Sequence, residues 1–229
     1  MPALFPVRRT LTAVAALLAA TLASGNAPAT AAARTSPAAA VEGPLLQEAV
    51  QGLPVDVEDR TGYKRTSFKH WIDVDRDGCD TRAEVLIDEA TTPPDIGPGC
   101  ALTGGTWNSY YDDQLVDAAS KLDVDHLVPL AEAWDSGAHA WDAAQRQAYA
   151  NDLDEPWHLV AVTARSNRQK ADKDPAQWLP PHEPARCRYA AEWTAVKLRW
   201  HLSVDPVEKD ALAAIARTCP DQPLPSPDR

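Results

Sequence analysis

Three short segments between positions 123 and 172 concentrate the residue types that water-driven hydrolysis of a phosphodiester would need. Asp123-Val124-Asp125-His126 runs into Leu127-Val128-Pro129-Leu130, and Trp157-His158-Leu159-Val160-Ala161-Val162 follows. The third is Ser166-Asn167-Arg168-Gln169-Lys170-Ala171-Asp172. In such a reaction water loses a proton as it attacks, and charge building on the phosphate and the leaving oxygen must be neutralised. Histidine, with a reference pKa of about 6.5, takes that proton near neutral pH. Carboxylate and amide oxygens are hard donors suited to magnesium or manganese. Asp125, His126 and Asn167 supply these groups.

The elements expected to position them are a strand over 121–128, ended by Pro129, a second strand over 157–162 and a short helix over 164–171. In a regular strand Asp125 and His126 point to opposite faces, so both serve one site only if the pleat is broken at His126. Asp123 shares the Asp125 face and stays a rival ligand. Helices are expected over 45–53, 131–134, 141–149 and 186–202. Another begins at the Asp205 cap with Pro206 in its first turn. Residues 91–105, with Pro93, Pro94, Pro98 and four glycines, are expected to form turns.

A second oxygen-rich run, Asp73-Val74-Asp75-Arg76-Asp77-Gly78 continuing to Glu84, matches the calcium-loop pattern D-x-D-x-D-G-x5-E. Asp80 within it, and Cys79 as a disulfide candidate, depart from an ordinary EF-hand, and a solvated acidic turn is the alternative. His70, His139, His182 and His201 are expected as packing or surface histidines, and Trp107, Tyr110 and Tyr111 as loop packing or base-stacking residues.

Arg8 and Arg9, the uncharged run Leu11 to Ala23 and the small residues Ala31-Ala32-Ala33 make residues 1–33 an export signal. The expected product is a secreted, extracellular chain with no membrane association after signal cleavage. Losing Arg8 and Arg9 takes the formal net charge from −11 to −13. A charge of that sign argues against a histone-like protein that coats nucleic acid through bulk positive charge. Residues 34–43 read as a flexible tether, 44–219 as one domain and 220–229 as a disordered tail. Cys79, Cys100, Cys187 and Cys219 form an even set in an exported chain, which suggests two disulfides. Three connectivities exist, and nearest-neighbour pairing within each half is the expectation.

Asp125-His126-Leu127-Val128-Pro129-Leu130 and Asn167-Arg168-Gln169-Lys170-Ala171-Asp172 resemble the signatures of secreted bacterial HNH endonuclease family proteins. Gly62-Tyr63, Phe68, Trp71, Gly78-Cys79-Asp80-Thr81-Arg82 and Trp178-Leu179-Pro180-Pro181 are similar to further landmarks of that family, so the resemblance spans most of the mature chain. It implies an α+β fold, a ββα-metal (HNH) core wrapped by additional helices and held by two disulfides. It also implies Asp125 and Asn167 as ligands of Mg2+ or Mn2+, His126 as general base, and Arg82 as a phosphate clamp. Lys170 is expected at a phosphate or on a solvated helix face. The family's middle Asn falls at His158, which is expected to brace the His126 loop. The substrate implied is DNA, with RNA as a second candidate, cut by a monomer with little sequence preference. The alternative is a non-catalytic secreted calcium-binding protein, with Asp73, Asp75, Asp77 and Glu84 around a structural Ca2+.

Overall fold

The computed structural model describes residues 43–226, so the expected export signal and nearly all of the expected tether lie outside the described residues. Helix α1 covers Leu46–Gly52 and turns Leu46 and Val50 into the core. Helix α2 covers Thr81–Asp88 and begins inside the segment expected as a calcium loop or an acidic turn. Its signal is Asp80, whose side chain caps the first turn by accepting from the Ala83 amide.

Four short strands follow as two hairpins. Strand β1 (Asp95–Gly97) pairs antiparallel with β2 (Ala101–Thr103), and β3 (Trp107–Ser109) with β4 (Gln114–Val116). The first hairpin occupies the segment expected to be turns. Strands of three residues carry too little alternation to register as a period.

The remaining elements surround the chemistry-bearing residues. Strand β5 is Leu122–His126, α3 is Leu130–Asp135, α4 is Ala143–Ala150, β6 is Leu159–Thr163 and α5 is Ala164–Lys170. Helices α6 (Arg186–Arg199) and α7 (Pro206–Thr218) complete the unit. The architecture is mixed α+β, and β5, β6 and α5 succeed one another as two antiparallel strands and a helix. Asp125 faces Val160 across β5–β6 and His126 faces Leu159. Pairing then continues one step further through the Leu127 amide to the His158 carbonyl.

The β5–β6 ribbon lies between two apolar clusters. Leu122, Val124, Leu159 and Ala161 pack with Val85, Leu86 and Trp107. Val160 and Val162 pack with Tyr111, Tyr149, Tyr189, Trp193 and the α1–α6–α7 helices. Both faces of β6 are therefore buried, which is why 159–162 is an unbroken apolar run.

Disulfides join Cys79 to Cys100 and Cys187 to Cys219, the nearest-neighbour pairing. Sequence separations of 21 and 32 correspond to about 3–4 kcal/mol of unfolded-chain entropy for each bridge. The second bridge also explains a departure from expectation, because Pro220–Ser226 is not a free tail. It returns from Cys219 to α1, where the Leu46 amide donates to the Gln222 carbonyl and the Leu224 amide to the Pro44 carbonyl.

Candidate active site

His126 ends β5 and is 4 % exposed. Its Nε2 donates to the Ala150 carbonyl at the end of α4, 3.0 Å away. A carbonyl only accepts, so this contact places the proton on Nε2 and leaves the Nδ1 lone pair available. Burial drives the imidazole pKa well below its usual value, and the Ala150 carbonyl opposes that only in part. The ring is therefore neutral at neutral pH and able to accept a proton. Its faces are lined by Trp71 (ring centroids 5.2 Å apart, planes 29° apart) and, further off, Tyr149 (6.5 Å, 14°).

Asp125 turns the opposite way and is 6 % exposed. Its Oδ2 accepts from the Tyr111 hydroxyl and from the Lys170 ammonium, both at 2.7 Å. Burial raises the Asp125 carboxyl above the usual carboxylate range, and Lys170 pulls it back. Lys170 also donates to the His126 carbonyl at 3.1 Å and is fully buried. The sequence placed it at a phosphate or on a solvated helix face, and it is at neither. The last turn of α5 lies on β5, so its side chain runs inward to Asp125, with the Trp193 ring 6.0 Å away. Tyr111, the residue that tethers Asp125, was missed as a site residue because a Tyr in a loop carries no periodic signal.

On the same strand face Asn167 Nδ2 donates to Asp123 Oδ2 at 3.1 Å, and Arg168 Nε lies 3.6 Å from that oxygen. The rival carboxylate is thus the one in contact with Asn167. The pleat is regular through His126, yet Asp125 and His126 both border one cavity of about 500 Å³. Asn167, Arg65, Arg168 and Asp172 also line it. The strand ends there, so both faces of its last two residues reach the opening. The second Asp125 oxygen and the Asn167 amide oxygen are hard donors on residues that line the cavity, of the kind that suits a divalent cation such as Mg2+ or Mn2+, and Asp123 lies beside Asn167.

One expected participant is placed elsewhere, and His158 lies behind the site. Arg82 does not reach the cavity. It donates to the Leu122 and Ala119 carbonyls (3.1 and 3.4 Å) and ties α2 to the start of β5. The Asp80 cap makes 81–88 helical and aims Arg82 at that strand. The cations bordering the cavity are Arg65, in the basic and aromatic 62–71 segment, and Arg168. His158 is fully buried, and its Nε2 donates to the Tyr149 carbonyl at 2.8 Å. It therefore holds the residue next to the His126 acceptor, while its own carbonyl takes the Leu127 amide. Burial lowers its pKa to about 4, so it too is neutral. Because the bond leaves from Nε2, Gln reaches the carbonyl better than Asn, whose amide is one bond short.

The acidic loop is only partly assembled. One carboxylate oxygen each from Asp73, Asp75 and Asp77 lies within 4.8 Å of the others. Gly78 makes the turn at φ 101°, where a side chain would be strained. Glu84 instead groups with Asp77 and Cys79, whose sulfur is committed to a disulfide.

A family profile described as GmrSD restriction endonucleases, C-terminal domain, matches residues 95–215, which takes in the whole β5–β6–α5 segment, while Arg65 on the cavity rim lies outside it. A protein of Arthroderma benhamiae, described as an uncharacterized secreted protein, is 42 % identical over 174 residues, covering 76 % of this chain and 84 % of its own. No solved structure matches the chain. No helix among the described residues is long and apolar enough to cross a membrane. With its match spanning more than half of the sequence, the chain belongs to the family of the GmrSD restriction endonuclease C-terminal domain.

Proposed function

We propose that the protein is a secreted, metal-dependent endonuclease of HNH type that hydrolyses the phosphodiester bonds of DNA, and of RNA as a second candidate, with little sequence preference. The observation that carries this reading is the state of His126. Its Nε2 is fixed on the Ala150 carbonyl, its ring is kept neutral by burial, and it borders a cavity shared with Asp125, Asn167 and two arginines.

In this reading His126 Nδ1 takes the proton of the attacking water, a step worth about a hundredfold to ten-thousandfold in rate. Asp125 and Asn167, with Asp123 beside them, would hold Mg2+ or Mn2+. A cation bound there supplies charge neutralisation at the phosphate and the leaving oxygen. Arg65 and Arg168 hold the phosphate backbone, which gives affinity without reading bases. Lys170 and Tyr111 fix one oxygen of Asp125 and leave the other for ligation. Local positive charge, rather than the net charge of −11, then attracts the substrate. Export to the extracellular space is supported by the leader at residues 1–33 and the secreted fungal relative. We also assign Asp73, Asp75 and Asp77 to a structural Ca2+.

The alternative is a non-catalytic calcium-binding relative, for which the acidic loop and the replacement of the family's middle Asn by His158 both speak. His158 lies behind the site and does not line the cavity, which leaves the acidic loop as the feature that favours the alternative.

The test is plasmid digestion with magnesium, manganese, calcium or zinc and a chelator control, together with a melting curve with and without calcium. Cleavage restored by magnesium or manganese and abolished by chelation is the expected result. A calcium-stabilised protein that cuts nothing under any metal overturns the nuclease reading.

A further inference from the structure

Trp71 has a backbone φ of +57°, a left-handed conformation that a bulky residue rarely adopts. Such strain persists only where the surroundings over-determine it. Here the clamp is Asn151, the residue that ends α4. Its Nδ2 donates to the Lys69 carbonyl at 2.8 Å, and its Oδ1 accepts from the Ile72 amide at 3.2 Å and the Thr81 hydroxyl at 2.9 Å. The backbone is thereby pinned on both sides of Trp71. The Thr81 hydroxyl, within donor reach of both Asn151 Oδ1 and the Ile72 carbonyl, ties the same turn to α2.

What this strain delivers is the indole face on His126, 5.2 Å from the imidazole centroid and within 29° of parallel. Three successive residues at the end of α4 therefore meet the site. Tyr149 takes the His158 bond, Ala150 takes the His126 bond, and Asn151 holds the turn that presents Trp71. One hydrogen bond fixes a ring nitrogen but leaves the ring free to rotate about that contact. A stacked face fixes the remaining freedom, the plane of the imidazole.

We propose that Trp71 is a positioning residue for the His126 base, its indole face setting the imidazole plane so that Nδ1 is presented to the cavity. The inference rests on the nuclease reading for its kinetic consequence, but the platform itself is a property of the fold and can be measured without activity. Catalysis depends on placement, and a misplacement on the order of 1 Å can cost a hundredfold.

The experiment compares wild type, Trp71→Phe, Trp71→Leu, His126→Gly and the double variant His126→Gly/Trp71→Leu, each checked for folding by thermal melting. Trp71→Leu is expected to lower kcat about 10- to 100-fold with KM within about twofold, and Trp71→Phe, which keeps an aromatic face, to recover most of the loss. Added imidazole is then titrated into His126→Gly and followed by the NMR shifts of the tryptophan indole N–H groups. Imidazole should bind in the vacated slot, and several-fold more weakly in the double variant. Wild-type kcat in Trp71→Leu, equal losses in Leu and Phe, or a rise in KM alone overturns the proposal, the last by making Trp71 a substrate contact. Equal imidazole binding with and without Trp71 also overturns it. If wild type cuts nothing while imidazole binding depends on Trp71, the nuclease reading falls and the platform stands.

Discussion

Two lysines are wholly buried among the described residues, and their surroundings differ in kind. Lys197 of α6 lies among α3, α7 and the 200–204 turn. Its ammonium has acceptors in Glu132, Ser136, the Ser203 carbonyl and Glu208, at 2.6 to 3.1 Å. Lys170 of α5, under the active-site cavity, has one carboxylate, Asp125, and one carbonyl, that of His126. Burial works against the charge of both. At Lys197 the two glutamates outweigh it and hold the pKa above the ordinary lysine value. At Lys170 the single aspartate does not, and the pKa is lowered. A cation with more partners than it needs stabilises the fold. A cation with too few shares its one carboxylate with whatever else enters the site, and that is where chemistry is expected.

The largest effect on the active-site side is expected from His126→Ala. It should reduce cleavage about a hundredfold to ten-thousandfold while the melting temperature stays within a few degrees. Cleavage at the wild-type rate would remove His126 from the mechanism.

On the helical side, Lys197→Met should destabilise the fold by about 3–5 kcal/mol in urea unfolding, because Glu132 and Glu208 are left buried without their cation. The fraction still folded should cleave at the wild-type rate. Lys170→Met sharpens the contrast. It strands only one carboxylate, still held by Tyr111, so about 2 kcal/mol of stability is lost, yet cleavage should fall at least about tenfold as Asp125 and the His126 carbonyl lose their tie. If Lys170→Met costs more stability and less activity than Lys197→Met, the distinction between the two lysines fails.

His158 is buried like Lys197, yet it bonds the Tyr149 carbonyl, next to the Ala150 carbonyl that His126 holds. His158→Ala should lower cleavage about tenfold and stability by about 1 kcal/mol, the worth of one buried hydrogen bond. His158→Gln should recover more of both than His158→Asn. The reverse order would show that the Nε2–Tyr149 contact is not what matters.

The smallest effect belongs to Glu58, on the acidic rim of the helical side. Burial raises its pKa from 4.5 to about 7, with Glu132, Asp205, Asp135 and Asp174 adding to the rise. Such a group takes up its proton more readily folded than unfolded. Its contribution is therefore intact at pH 4 and is lost as pH rises from about 4.5 through about 7. Glu58→Gln should gain about 1 kcal/mol or less at pH 8, because solvent screens this half-open site, and nothing at pH 4. A gain of equal size at both pH values would remove the titration from the explanation.

The sequence by itself determined the parts of this protein that depend on neighbours along the chain. The apolar run at 159–162, the Asp205–Pro206 helix start and the helical spacing through Tyr189, Trp193 and Val196 all express local geometry, and each element formed there with ends shifted by up to about three residues. The order Asp-His, strand, Asn-bearing helix likewise pointed to one site. The short hairpins were not legible, because three residues hold no period, and α2 was overlooked although its Asp80 cap is written in the chain. Tertiary structure alone decided which polar group meets which. Lys170 could as well have faced solvent, and Arg82 could as well have reached phosphate, until the packing of α5 and α2 against β5 fixed their directions. Tyr111 and Trp71 lie 14 and 55 positions away from the residues they hold, and their roles exist only because the fold closes those distances. Burial is likewise a property of the closed fold. It keeps His126 neutral and lowers the pKa of Lys170, since removing water from a charged group changes its protonation whatever its place in the chain.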